Sequence, residues 1–103
     1  MAKNYVLTAL RKDYLELNKR KENNMANLPV INIKATGENL KRIRKEKGYI
    51  IKDVQEKFGF TSPTAIYRWE SGMCLPTVDN LVGLAVIFGV TIDDLLVREI
   101  VNE

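Results

Sequence analysis

The stretch Val54-Gln55-Glu56-Lys57-Phe58-Gly59-Phe60-Thr61-Ser62-Pro63-Thr64-Ala65-Ile66-Tyr67-Arg68-Trp69-Glu70-Ser71-Gly72 decides how the chain folds. Val54 and Phe58 stand four apart, a helical step, and Gly59 closes that helix. A second helix opens after Ser62, with Pro63 in its first position, where a missing N–H costs nothing. Ile66 and Trp69 stand three apart and face inward together. Thr64, Ala65, Tyr67 and Arg68 fall on or beside the outer face, and Ser71-Gly72 stops the helix. The stretch is therefore two short helices around a tight turn, the second presenting polar and basic side chains outward.

The flanks supply three more helices. Thr36 is a good N-cap for a helix over 36–47, with Leu40 and Ile43 inward and Gly48 as its stop. The helix before the tight turn covers 51–58. Pro76-Thr77 opens a fourth, capped by Thr77, with Val78, Leu81, Leu84, Ala85 and Phe88 as its buried stripe and Gly89 as its end. Thr91 caps a short fifth helix carrying Ile92, Leu95 and Leu96, and Asp94 completes a short-armed capping box. Five short helices, each with one apolar face, predict a compact all-α domain over 36–97.

Residues 1–35 read as an extension and linker. Leu7, Leu10, Tyr14 and Leu17 recur at helical steps, which predicts an amphipathic helix over 3–22. Met25 is a candidate start for a shorter native protein. Leu28-Pro29-Val30-Ile31-Asn32-Ile33 is extended in character, because Pro29 biases Leu28 away from helix and β-branched residues favour strand. A lone short strand needs a partner, either along the domain or across a dimer. Residues 98–103 read as a short tail.

Composition excludes several functions. The 103 residues contain no histidine, so Ser-His and Cys-His nucleophile pairs and His-ligated zinc are ruled out. Most Asp and Glu sit at helix starts or on charged faces, where capping and solvation explain them. The expectation is a protein that is not an enzyme and needs no metal or cofactor. Cys74 is alone, which excludes an internal disulfide and suits a reducing cytoplasm. No apolar run approaches the roughly 18 residues of a membrane span, and no secretory signal is visible. The net charge is +3. Residues 1–24 hold six bases against three acids, and the remainder holds ten of each. Bulk charge therefore does not announce nucleic acid; only local clusters can.

Four blocks together resemble the lambda-repressor-like helix-turn-helix family, also called Cro/cI-type or XRE. They are Leu40-Lys41-Arg42-Ile43-Arg44-Lys45-Glu46-Lys47-Gly48, Ile66-Tyr67-Arg68-Trp69-Glu70-Ser71-Gly72, Pro76-Thr77-Val78-Asp79-Asn80-Leu81 and Phe88-Gly89-Val90-Thr91-Ile92-Asp93-Asp94-Leu95-Leu96. The resemblance covers about 60% of the chain. The chain departs from the family pattern at Ile51, where a phosphate-contacting glutamine is usual, and at Gln55, where alanine is usual. The turn from Gly59 to Trp69 is one residue longer than the commonest spacing.

The resemblance implies a DNA-binding domain whose recognition helix, over 63–70, enters the major groove. Arg68 is the leading base-reading residue, since a guanidinium can bond both acceptors of a guanine. Thr64 can bond a base or a phosphate, and its methyl group and Ala65 can touch a thymine methyl. Tyr67 either reads the groove or packs its ring on the preceding helix. Lys52, Thr61, Ser62 and Ser71 join the DNA-binding set, with Lys57 and the basic face of Lys41, Arg42 and Lys45 as further phosphate candidates. Free N–H groups near Ile51 and Ser62 are natural phosphate ligands. The resemblance also makes Arg44 and Glu70 a structural ion pair between the first helix and the end of the third. Trp69 is read as core and Cys74 as an incidental thiol.

The function expected is that of a transcriptional regulator, a repressor among them, binding double-stranded operator DNA as a homodimer in the cytoplasm. The alternative is an antitoxin or protein-interaction module of the same fold. Its amphipathic N-terminal helix or the tail at Ile100-Val101 would then grip a partner protein.

Overall fold

The structure is a computed structural model and describes residues 28–100. The elements run β1 (Pro29–Ile31), α1 (Ile33–Glu46), α2 (Ile51–Phe58), α3 (Thr64–Glu70), α4 (Val78–Phe88), α5 (Ile92–Leu95) and β2 (Arg98–Ile100). Residues 31–98 form one compact unit, and the described residues 28–30 and 99–100 belong to another. The helix expected over 3–22 lies outside the described residues.

Among the described residues the protein is mostly helical, with five helices, but it is not purely α. β1 and β2 pair in a two-stranded sheet. The extended segment was legible at Pro29 and its β-branched neighbours, and its partner proves to be within the chain. The partner was missed because Arg98-Glu99-Ile100 is too short to show alternation.

α1 begins earlier than Thr36 suggested. Asn32 is the N-cap, its Oδ1 accepting from Ala35 N at 2.9 Å. Asn32 satisfies an otherwise orphaned N–H, and the helix starts at Ile33. Thr36 is instead fully buried inside the helix. Its Oγ1 accepts from Val97 N at 3.0 Å, and Asn32 N donates to Val97 O at 2.8 Å. A threonine that looked like a cap is thus a tie to the chain beyond α5. Asn39 adds another, its Nδ2 donating to Asp94 O and Leu95 O at 2.8 and 3.0 Å, which covers carbonyls left open at the end of α5.

The remaining boundaries follow their local chemistry. α2 ends at Gly59 and α4 at Gly89, both in the left-handed conformation. Thr77 Oγ1 caps α4 through Asn80 N, and Thr91 and Asp94 form a reciprocal capping box at α5. Pro63 sits just before α3 rather than as its first residue.

The core joins Leu40 and Ile43 of α1, Val54 of α2, Ile66 and Trp69 of α3, Leu81, Leu84, Ala85 and Phe88 of α4, and Leu95 of α5. Val78 was expected there, yet it is 72% exposed. It falls in a row with Val82 and Val86, four residues apart along α4, beside the buried stripe rather than on it. Tyr49, between α1 and α2, packs against the core and approaches Phe88 with ring centroids 6.0 Å apart.

Replacing Thr36 with valine keeps the shape and removes the acceptor for Val97 N–H. We expect a loss of about 1–3 kcal/mol in urea unfolding, the range for stranding a buried donor. An unchanged midpoint would show that this tie carries no stability.

Candidate nucleic-acid interface

The site is a helix with one face locked and one face open. On the locked face, Ile66 is 2% and Trp69 5% exposed. Trp69 meets Phe58 and Phe60 edge-on, with centroids 5.7 and 6.1 Å away, while those two phenylalanines stack at 4.8 Å. Trp69 is therefore a packing residue, as its spacing from Ile66 indicated, and has no face left for a base.

At the end of α3, Glu70 meets Arg44 of α1. Arg44 Nε donates to Glu70 Oε2 at 2.6 Å and Arg44 Nη2 to Oε1 at 3.1 Å, a bidentate pair. The third arm, Nη1, donates to Tyr49 O at 2.9 Å. Both side chains are about nine-tenths buried.

The turn before α3 is closed from inside. Gln55 Nε2 donates to Phe60 O at 3.2 Å, and Phe60 N donates to Gln55 O at 3.1 Å. Gln55 thus holds the turn by side chain and backbone together. This role was not visible in the sequence, since it depends on Phe60 folding back over α2.

The open face carries Thr64, Tyr67 and Arg68, all exposed, with Ala65 half-buried. Tyr67 is 57% exposed and does not lay its ring on α2. An open depression of about 390 Å³ is lined by Phe60, Thr61, Ser62, Thr64, Ala65, Arg68, Trp69 and Cys74. It brings together five of the expected contact residues: Thr61, Ser62, Thr64, Ala65 and Arg68. Lys52, Tyr67 and Ser71 lie outside it. Cys74 is a free, exposed thiol on its wall.

The hydroxyl groups differ in what they have left to give. Ser71 Oγ donates its single proton to Arg68 O at 3.2 Å. Ser62 Oγ donates to Thr64 Oγ1 at 3.2 Å and accepts from Thr64 N at 3.4 Å. In that arrangement the Thr64 hydroxyl keeps its own proton available. Among the described residues, the Arg68 guanidinium and the Lys52 ammonium have no protein partner.

Three expected phosphate contacts look different in the structure. The start of α2 already holds a carboxylate: Ile50 N donates to Asp53 Oδ2 at 2.9 Å. That negative charge takes the place a phosphate would favour at a helix N-terminus. Arg42 is engaged with Glu46 at 2.8 Å and with Asn39 Oδ1 at 2.7 Å, so its charge is shared along α1. Lys57 lies over the Tyr49 ring, 5.7 Å from its centroid.

Among the described residues no group of three or more His, Cys, Asp or Glu is placed to hold a metal ion, and no helix is long and apolar enough to cross a membrane.

This architecture defines a helix-turn-helix protein. The helix-turn-helix family HTH_3 matches residues 40–95, and the chain belongs to it. Similar solved structures include the DNA-binding domain of BldD, 30% identical with a TM-score of 0.55, covering 63% of this chain and 93% of that one. The restriction-modification controller protein C.AhdI from Aeromonas hydrophila shares the fold at 19% identity and a TM-score of 0.56, covering 61% of this chain and 94% of its own. A transcriptional regulator from Listeria innocua is 30% identical with a TM-score of 0.54, covering 66% of this chain and 64% of that one. No curated protein sequence matches the chain. Family and fold are those of DNA-binding regulators, not of enzymes.

Arg44→Ala leaves the Glu70 carboxylate buried without its partner. The expected loss is about 3–5 kcal/mol, the range for breaking a buried pair, measured by chemical denaturation. Restoring part of it by adding Glu70→Gln to Arg44→Ala would show that the stranded charge is the cause.

Proposed function

We propose that the protein is a sequence-specific DNA-binding transcriptional regulator that inserts α3 into the major groove. The observation that carries this reading is Arg68. It is a free, exposed guanidinium on the outer face of a helix whose inner face is locked by Trp69, Ile66 and Glu70. An unpartnered cation held on a fixed backbone is suited to bidentate bonding with guanine O6 and N7. Thr64, one turn earlier on the helix, has a hydroxyl proton to donate and a methyl group for a thymine. Ala65 and Tyr67 flank them. Lys52 supplies a phosphate contact at the start of α2 in place of the glutamine usual there, and its long side chain can reach past Asp53. Thr61 and Ser62 line the rim, where the backbone of the DNA would run. Ser71 is the weakest member of the set, because its proton is already used within the helix.

The neutral balance of residues 25–103 shapes the mechanism. With little net attraction to phosphates, affinity depends on a few placed contacts. A seven-residue helix reads only a few base pairs. Two copies on half-sites one helical turn apart, about 34–36 Å, would multiply its selectivity. The related DNA-binding domain and transcriptional regulator described above support the regulatory role by family.

Selection from random duplexes at moderate salt should enrich one motif with two related half-sites; enrichment of none would sink the proposal. Arg68→Ala should lower discrimination at one base position by about 1–3 kcal/mol. Lys52→Ala should instead weaken all duplexes about equally and reduce the salt slope by about one.

A further inference from the structure

We infer that Gly37 of α1 is a positioning residue that sets the aim of the recognition helix. The inference rests on the DNA-binding role proposed for α3. A Cβ at Gly37 would lie 2.4 Å from Trp69 O, 2.7 Å from Glu70 O and 3.0 Å from Glu70 C. The backbone of α1 therefore touches the last carbonyls of α3 directly, with no side chain between. A methyl group there cannot be accommodated by a rotamer change, because the atoms it meets are backbone.

A second contact of the same kind lies one turn earlier on α1. Gly72, just past α3, has φ +78°, and a Cβ on it would lie 2.8 Å from Lys34 Cα. Positions 34 and 37 are adjacent turns of α1, and Arg44 stands seven residues beyond Gly37 on nearly the same angular line. Backbone contact at Gly37 and Gly72 fixes the distance between the two helices, and the Arg44–Glu70 pair fixes α3 sideways.

Arg68 is the neighbour of Trp69. In a seven-residue helix, any displacement of the Trp69 carbonyl is carried almost undiminished to Arg68. Relieving a 2.4 Å contact needs a shift approaching ~1 Å, against the ~0.5 Å tolerance of a well-placed recognition group. Alanine is also the better helix former, so a loss caused by Gly37→Ala cannot come from helix propensity.

The test compares the affinity of each variant for the selected duplex with its affinity for a scrambled duplex, using the full chain at constant salt. Loss of folded protein lowers both affinities equally and leaves their ratio unchanged. Loss of aim lowers only the first. Gly37→Ala is expected to reduce the ratio at least ~10-fold while binding to scrambled duplex stays within about twofold. Gly72→Asn, which tolerates the left-handed backbone but crowds Lys34, should act in the same direction. Gly48→Asn is the control, at φ +81° with nothing within 4 Å of a Cβ, and should leave the ratio unchanged. If Gly37→Ala does not fold, Gly72→Asn carries the test alone. A wild-type ratio in the folded variants overturns the inference, and so does failure of both to fold, since the contacts would then be conditions of folding and not of aim. If the wild-type protein itself selects no motif, the DNA-binding reading fails first.

Discussion

The buried Arg44–Glu70 pair is the constraint on which the rest of the site depends. Two charges taken out of water must recover their hydration within the protein, and three hydrogen bonds do that here. Apolar side chains of similar size could stabilise the fold as well. They would not do so with the same directionality. A guanidinium plane meeting a carboxylate edge accepts one relative orientation, whereas two apolar surfaces slide. Because Arg44 is anchored on a 14-residue helix and also to Tyr49 O, the end of the much shorter α3 inherits the rigidity of α1.

That rigidity matters more in a domain with no surplus charge. A strongly basic protein can hold DNA non-selectively and tolerate a loose reading helix. Ten bases and ten acids after residue 24 balance each other, and some of the basic side chains are answered by local acidic or aromatic neighbours. Arg42 shares its charge with Glu46, Lys57 leans over Tyr49, and Asp53 occupies the start of α2. Among the described residues, Arg68 and Lys52 are cations near the turn without a protein partner. In the proposed reading, selectivity rests on where such side chains point.

The helices were legible because their stops and caps are local chemistry. Gly59, Gly89, Thr77 and the Thr91–Asp94 box act within four residues of themselves, and each marks the boundary it suggested. Thr36 misled for the same reason. Its sequence neighbours suit a cap, but its partner is Val97, 61 residues away, and Asn32 takes the capping role. Val78 misled because a stripe read from spacing has soft edges: it belongs to the exposed row of Val82 and Val86, next to the buried one. The strand at residues 98–100 carried no pattern long enough to see. At the site, the outward set on α3 followed from the inward spacing of Ile66 and Trp69. Which hydroxyls were already committed, and that Asp53 fills the start of α2, depended on side-chain directions that spacing does not encode.

The two ends of α3 are held by different physics, and this divides the work along it. The far end is fixed by a bidentate ion pair and backbone contact with α1. The near end follows a turn closed by Gln55 and by Phe60 stacked on Phe58 against Trp69. Pro63 gives that end no donor of its own, and the Ser62–Thr64 hydrogen bonds are long and exposed. In the DNA-binding reading proposed above, Arg68, beside the fixed end, suits a contact that demands geometry. In the same reading Thr64, at the end held by long and exposed hydrogen bonds, suits one that adapts, a hydroxyl able to meet either a base edge or a phosphate.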